Sequence, residues 1–181
     1  MTREKQRWVI TGGPGTGKST LLNSIRQSGY PVFEEISREW IRRALDEGTD
    51  LLPWKDLMGF SHLIWKERKK QFEAAPKGPS FYDRSLLDTI AYLEMLDPKR
   101  IPEKWEETLR MDLYMKDVFI TPPWKEIHIL DNERRESWLE VEGIHHQLCS
   151  TYKRFGYRII EVPRSDIETR TKFILQHLKV A

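Results

Sequence analysis

An α/β domain built on a parallel sheet is what the sequence predicts, and three observations carry that expectation. Five short runs rich in apolar and β-branched residues alternate with longer segments of helical period, as parallel strands joined by crossover helices require. Each run is almost continuously apolar, the mark of strands buried on both faces. The residues just past the runs include Gly12, Glu34, Asp83 and Pro122, so the candidate chemistry gathers at the carboxyl ends of the strands, where open parallel sheets hold their ligands.

Trp8-Val9-Ile10-Thr11 is the first strand and stops at Gly12-Gly13, and Leu21, Leu22 and Ile25 then recur at helical spacing up to Gly29. Pro31 to Glu34 is a second strand. Ile36, Trp40, Ile41, Ala44 and Leu45 mark one helix face that Gly48 closes. Pro53 suits a first helical turn, and Leu57, Phe60, Ile64 and Phe72 give a long helix its buried stripe, with Lys66, Arg68, Lys69 and Lys70 on the face expected to be solvated.

Ser80-Phe81-Tyr82 is a third strand, followed by a helix through Leu86, Leu87, Ile90, Ala91 and Leu93 that stops before Asp97-Pro98. Pro102 opens another helix, with Trp105, Leu109 and Leu113. Val118 to Thr121 is the fourth strand, stopped by Pro122-Pro123, with Ile127 to Leu130 as a competing candidate placed in an excursion beyond it. Leu148, Tyr152 and Phe155 lie on a helix closed by Gly156, Tyr157 to Val162 form the fifth strand, and Ile167, Phe173, Ile174 and Leu178 a last helix.

At 181 residues the chain corresponds to one domain of about 150 residues or slightly more. Lys and Arg number 30 against 28 Asp and Glu, a net charge of +2, which argues for neither a nucleic acid nor an anionic membrane as partner. The single Cys149 leaves no internal disulfide and no C-x-x-C pair, in keeping with a reducing, cytoplasmic setting. Only three apolar residues precede the glycine cluster, so neither a signal peptide nor a membrane span is expected.

Gly12 to Ser19 reads GGPGTGKS, a full match to G-x-x-x-x-G-K-[ST] directly after a strand and before a helix. Triphosphate oxygens need several donors converging at short range. Glycines let backbone N–H groups across Gly13, Pro14, Gly15, Thr16, Gly17, Lys18, Ser19 and Thr20 turn inward, apart from Pro14, which has none, and the helix adds its positive N-terminal end. Lys18 supplies charge at the β- and γ-phosphates, and Ser19 a hydroxyl ligand for Mg²⁺. ATP with Mg²⁺ is the cofactor this predicts.

Asp83, at the end of the third strand, is the candidate second Mg²⁺ ligand, and Arg84 beside it a fork of donors for a phosphate or substrate oxygen. The alternative is that the pair simply caps the following helix. Glu34 and Glu35 end the second strand, so one faces the crevice and the other the far side or solvent. Alternation alone does not decide between them, and Glu34 is the choice for the general base, with Glu35 next. Asp131 to Arg135 is either a solvated charged loop or a lid whose Arg134 and Arg135 reach the transferring phosphoryl on closure. His145-His146 lack a third ligand for a metal site. Trp54, Trp65, Trp105, Trp124 and Trp138 are core or rim aromatics, and Trp124 and Trp138 border the lid segment, about residues 122–142.

These segments resemble the phosphate-loop nucleoside and nucleotide kinase-like group, and within it the small AAA-type ATPases related to the ribosylnicotinamide kinase domain. The resemblance rests on ITGGPGTGKS (Ile10 to Ser19), Gly29 to Val32 with Glu34-Glu35, Tyr82-Asp83-Arg84-Ser85, VFITPPW (Val118 to Trp124), Asp131 to Arg134, and YKRFGYRIIEVP (Tyr152 to Pro163). It implies a three-layer fold with strand order 2-3-1-4-5, a Mg-ATP site at Lys18, Ser19 and Asp83, a lid carrying Arg134, and an adenine pocket near Pro163 and Arg164. It does not imply a hexameric motor, for which 181 residues leave no helical second domain.

Two functions are compatible with these features. One is a kinase moving the γ-phosphoryl of ATP to a small nucleoside- or nucleotide-like acceptor, oligomeric state open. The other is a switch that hydrolyses ATP or GTP slowly while acting on a protein partner. A guanine-specific N-K-x-D is absent, and Asp56-Leu57-Met58-Gly59 matches D-x-x-G only within a helical stripe.

Overall fold

The computed structural model describes residues 5–111, 113–127 and 137–178. Five parallel strands form one sheet in the order β2-β3-β1-β4-β5. In chain order these are β1 (Lys5–Thr11), β2 (Val32–Phe33), β3 (Gly78–Asp83), β4 (Asp117–Ile120) and β5 (Arg158–Glu161). The helices are α1 (Lys18–Gln27), α2 (Ser37–Asp46), α3 (Leu57–Glu73), α4 (Leu86–Leu96), α5 (Glu103–Leu109), α6 (Trp138–Arg154) and α7 (Ile167–His177), with short 3₁₀ turns at Pro98–Arg100 and Lys125–Ile127. No helix among the described residues is long and apolar enough to cross a membrane.

Alternation along the strands sorts the core into two layers. On β1, Trp8 and Ile10 face one side while Val9 faces the other; on β3, Phe81 and Tyr82 divide the same way, as do Phe119 and its neighbours Val118 and Ile120 on β4. The first layer packs on Leu21, Leu22 and Ile25 of α1 and Ile174 of α7. The second packs on α3, α4, α5 and α6 through Trp65, Leu87, Ile90, Trp105 and Leu148, with the Trp65 and Trp105 rings stacked at 4.3 Å. Ile10 pairs in register with Asp83 on one side and Phe119 on the other, so the ends of β1, β3 and β4 stand at one level.

Several boundaries differ from the sequence-based expectation. The fourth strand is Asp117–Ile120, and Ile127 sits in a 3₁₀ turn, so the competing candidate loses its first residue as a strand while its other three lie outside the described residues. Pro53 does not open α3: the helix begins at Leu57, where the Asp56 carboxylate accepts from the Gly59 N–H at 2.9 Å. The D-x-x-G letters are thus a helix cap. β2 is only two residues long, one reason its exit direction is not readable from alternation.

The second layer has a polar rivet. The Asp88 carboxylate on α4 accepts from the Thr11 hydroxyl at 2.5 Å, the Tyr152 hydroxyl of α6 at 2.5 Å and the Ser85 N–H at 2.8 Å. All four residues are buried, so the end of β1 and helices α4 and α6 are tied together beneath the loop between β1 and α1. Tyr152→Phe removes one donor from a buried carboxylate and is expected to cost about 1–3 kcal/mol. At about 2–4 °C per kcal/mol that is a drop of roughly 2–12 °C in Tm by calorimetry; an unchanged Tm would mean Asp88 is satisfied without α6.

Candidate active site

The loop between β1 and α1 wraps around its own lysine. Gly12 (φ 143°) must be glycine because a Cβ there would lie 2.6 Å from the Thr121 carbonyl and collide with its hydroxyl. Gly17 (φ 77°) turns the chain into α1. Lys18 Nζ donates to the Gly12 and Gly13 carbonyls at 2.9 and 2.7 Å, and the Thr16 hydroxyl donates to the Gly13 carbonyl at 2.9 Å. Burial and the nearby Arg84 push the Lys18 ammonium down to about 8. Ser19 and Thr20 are exposed at the helix start, where free N–H groups and the helix dipole favour anions.

Three cavities meet at this loop. One, of about 360 Å³, is lined by Gly15 to Thr20 with Trp124, Ile127, Ser165, Ile167 and Arg170. A second, also about 360 Å³, lies across Pro14 between α2, α3 and α4, with Trp54, Phe60, Ile64 and Tyr92 on its walls and Glu35, Arg68 and Arg84 at its base. The third, about 230 Å³, joins Lys18, Ser19, Glu34, Glu35 and Asp83. Arg38 on α2 lines all three.

A cluster of buried charge sits at the ends of β2 and β3. The Glu35 carboxylate accepts from Arg84 Nε at 2.8 Å and faces Arg68 Nη2 at 3.5 Å. Burial alone would raise its pKa, but Arg84 and Arg68 hold it down at about 2. Arg84 also donates to the Tyr92 hydroxyl at 2.9 Å, and Arg68 to the Asp83 carbonyl at 3.0 Å. Arg84 is the one non-glycine with positive φ (69°) among the described residues, backbone strain that coincides with its burial in the cluster. Burial and Glu35 raise the Asp83 carboxyl to about 6 against the pull of Lys18, and its Oδ1 is buried with no hydrogen-bond partner.

Three expectations change. Glu34, chosen as the base, lines the third cavity but pairs with Arg26 at 2.5 Å and its side chain is 72% exposed, while Glu35 is the carboxylate drawn into the buried cluster. Arg68, expected on a solvated helix face, is 3% exposed, because β2 and β3 leave a carboxylate and a carbonyl for it to satisfy. Asp83 and Arg84 do not cap α4; Ser85 does, in a reciprocal box with Asp88.

Other sequence-derived candidates fall nearby. Arg84 is committed to Glu35 and Tyr92 rather than directed at the loop. Pro163 and Arg164 do not line the first cavity; Arg164 ties its segment to the Pro123 carbonyl at 3.0 Å, and Ser165 and Ile167 beyond it form the wall. Gly13 serves through its carbonyl, and Pro14 borders the second cavity rather than the first. Arg134 and Arg135 lie outside the described residues. Arg38 and Arg170, which the sequence does not single out, and Trp54, expected only as a core or rim aromatic, line these cavities; nothing in local spacing marks a side chain that reaches a cavity across the fold.

The fit of Mg²⁺ to these residues rests on the orphaned Asp83 oxygen and on Ser19, which lines the same cavity. Among the described residues no cluster of three or more His, Cys, Asp or Glu exists to hold a metal by protein ligands alone, and Mg²⁺ with phosphate oxygens and water needs no such cluster.

Comparison with curated protein sequences finds no match. Among solved structures the chain is similar to deoxyadenosine kinase from M. mycoides with dCMP and dCDP bound, at 18% identity and TM-score 0.68 over 97% of this chain and 100% of that one. It is similar to thymidylate kinase from Ehrlichia chaffeensis at 17% identity and TM-score 0.59, over 96% and 99% of the two chains. It also matches the NadR protein in complex with NR at 19% identity and TM-score 0.67, covering 97% of this chain but 51% of that one. Identities this low establish a shared fold, that of phosphate-loop kinases. The family model described as an AAA domain matches residues 7–170, from β1 into α7, and the chain therefore belongs to that AAA domain family.

Proposed function

We propose that the chain is an ATP-dependent phosphotransferase that moves the γ-phosphoryl onto a hydroxyl of a small, nucleoside-like acceptor in the cytoplasm. The observation that carries this reading is the second cavity. It is lined by the aromatic side chains of Trp54, Phe60 and Tyr92 and by Glu35 and Arg84, and Pro14 of the phosphate loop forms part of its wall. A hydrolytic switch needs no such chamber beside the nucleotide. The nucleotide and acceptor kinases that share the fold add support by analogy.

In this reading the first cavity takes ATP, with phosphates on the loop amides and Lys18 and the base between Trp124 and the Ser165–Ile167 wall. Ser19 and Asp83 hold Mg²⁺, which when bound neutralises charge on the β- and γ-phosphates. The acceptor hydroxyl points at Glu35. Transfer forms the bond from acceptor oxygen to γ-phosphorus and breaks the bond from that phosphorus to the β–γ bridging oxygen, while the hydroxyl proton passes to Glu35. A carboxylate held near pKa 2 is a weak base, so its service is chiefly to orient the hydroxyl; in a loose transition state the proton leaves late. Arg38, common to all three cavities, stands where charge develops, and Arg134 and Arg135 are proposed to join it from a lid over about residues 122–142.

Lys18→Ala is expected to abolish most of the stabilisation by Mg-ATP, which at 100 times Kd is about 2.7 kcal/mol, or roughly 5–11 °C in Tm; a retained shift would remove the loop from the nucleotide site.

Glu35→Gln should lower transfer to an acceptor by about 10²-fold or more with ATP affinity kept within severalfold, whereas Glu34→Gln should leave both near wild type. The measurement is ADP release across a panel of nucleosides, nucleotides and pyridine ribosides, above the background without acceptor. No stimulation by any of them would favour the switch.

Asp83→Asn should reduce Mg²⁺-dependent turnover yet raise the Tm of the free protein. Burial raises this carboxyl on folding, so the fold favours its protonated form and is penalised once Asp83 ionises above pH about 6. The gain from Asn should be fully present at pH 7.5 and fade toward pH 4; a loss of stability at neutral pH would instead give Asp83 a structural role.

A further inference from the structure

Arg170, in the first turn of α7, is 4% exposed, and its guanidinium lies against the phosphate loop. Nη2 donates to the Thr16 carbonyl at 3.1 Å, and a Cβ at Gly17 would come within 2.7 Å of Nη1. The same side chain lines the cavity formed with Gly15 to Thr20, and its charged carbon sits 5.7 Å from the Trp124 ring.

A buried cation is normally matched by an acid, because the uncompensated charge is costly to desolvate. Among the described residues no carboxylate forms an ion pair with Arg170; its contacts are a carbonyl and an indole face, and its Nε is buried without a hydrogen-bond partner. Burial alone, with no offsetting charge, drives its pKa below the ordinary arginine range. The acids beside it on its own helix are engaged elsewhere: Asp166 accepts from the Thr169 N–H and hydroxyl at 2.9 and 2.7 Å, and Glu168 pairs with Lys172 at 2.6 Å. A brace for one loop carbonyl needs a donor but no charge, and a guanidinium with a desolvated, idle Nε is a poor choice of brace.

We infer that Arg170 is a built-in counter-charge for a polyphosphate on this loop, a positioning residue that holds the Thr16–Gly17 segment and lends it a positive field, and whose own missing counter-ion is the bound anion. The inference rests on the nucleotide-binding half of the proposed function and not on phosphoryl transfer. Its consequence is an asymmetry. Among the described residues no acid compensates the charge in the empty fold and a bound anion would, so removing it should help the free protein and harm the complex, in proportion to the ligand's charge.

The test compares wild type, Arg170→Met and Arg170→Lys by thermal unfolding without ligand and by calorimetric titration with adenosine, AMP, ADP, ATP and inorganic tripolyphosphate. Arg170→Met is expected to melt no lower than wild type, yet to bind ATP and tripolyphosphate about tenfold or more weakly, with the loss shrinking through ADP and AMP and vanishing for adenosine. Arg170→Lys, which keeps the charge, should recover most of the affinity. A fall in the free protein's Tm together with equal losses for adenosine and ATP would make Arg170 a structural brace. Unaltered tripolyphosphate affinity in Arg170→Met would take it out of the site altogether. Tripolyphosphate has neither base nor acceptor, so Arg170-dependent binding of it by a protein that transfers phosphoryl to no acceptor would overturn the kinase and leave this inference standing.

Discussion

The site depends on one shared carboxylate. Glu35 leaves the end of β2 between Arg84, just past β3, and Arg68, which reaches in from α3, and it is the anion that lets two guanidinium groups be buried side by side. Without it Arg68 would lose its ion pair and Arg84 would be left with Asp88 at 3.9 Å, a cost in stability. With it, Arg84 accepts a left-handed backbone, Arg68 is free to hold the Asp83 carbonyl, and the floor of the second cavity is set. Asp83 carries the strain: next to a carboxylate that stays ionised, and itself buried, it is the group pushed toward protonation. Two acids at adjacent strand ends are thereby driven to opposite behaviour, one held ionised and the other pushed toward its neutral form.

The parts of the molecule legible in the sequence are those that local chemistry dictates. GGPGTGKS can be read because turning amides inward demands glycine at particular places, and the structure adds the reason for Gly12, a contact with Thr121 on another strand that no local rule contains. The strands are visible because burial on both faces forces continuous apolar runs. The orientation of Glu34 and Glu35 is not legible for a related reason: β2 has two residues, and a strand that short sets no parity for the residues after it.

Arg68 and Arg170 mark a different limit. Both sit on helices whose neighbouring positions are solvated, Arg68 among Lys66, Lys69 and Lys70 and Arg170 near Glu168 and Lys172, so composition assigns them to water. They are buried because a distant segment delivers a polar group to each: the ends of β2 and β3 for Arg68, the Thr16 carbonyl for Arg170. A charge whose partner is remote in sequence is indistinguishable from a surface charge until topology brings the two together, and arginine, with its long apolar stem, is the residue for which that confusion is easiest.

The lysine of the phosphate loop shows where binding free energy at such a site comes from. Lys18 Nζ already donates to the Gly12 and Gly13 carbonyls, so a phosphate that takes over the ammonium exchanges hydrogen bonds rather than adding them. The gain is in charge. Burial and Arg84 lower the Lys18 pKa to about 8, and an anion with more than one negative oxygen reverses that pressure on Lys18 just as it supplies the partner Arg170 lacks. Discrimination by this loop is therefore expected to run on the number of phosphates more than on their hydrogen-bonding geometry. In the proposed reaction, choice among acceptors would fall to the second cavity, where Glu35 offers one fixed carboxylate and aromatic walls supply the area that affinity for a small molecule requires.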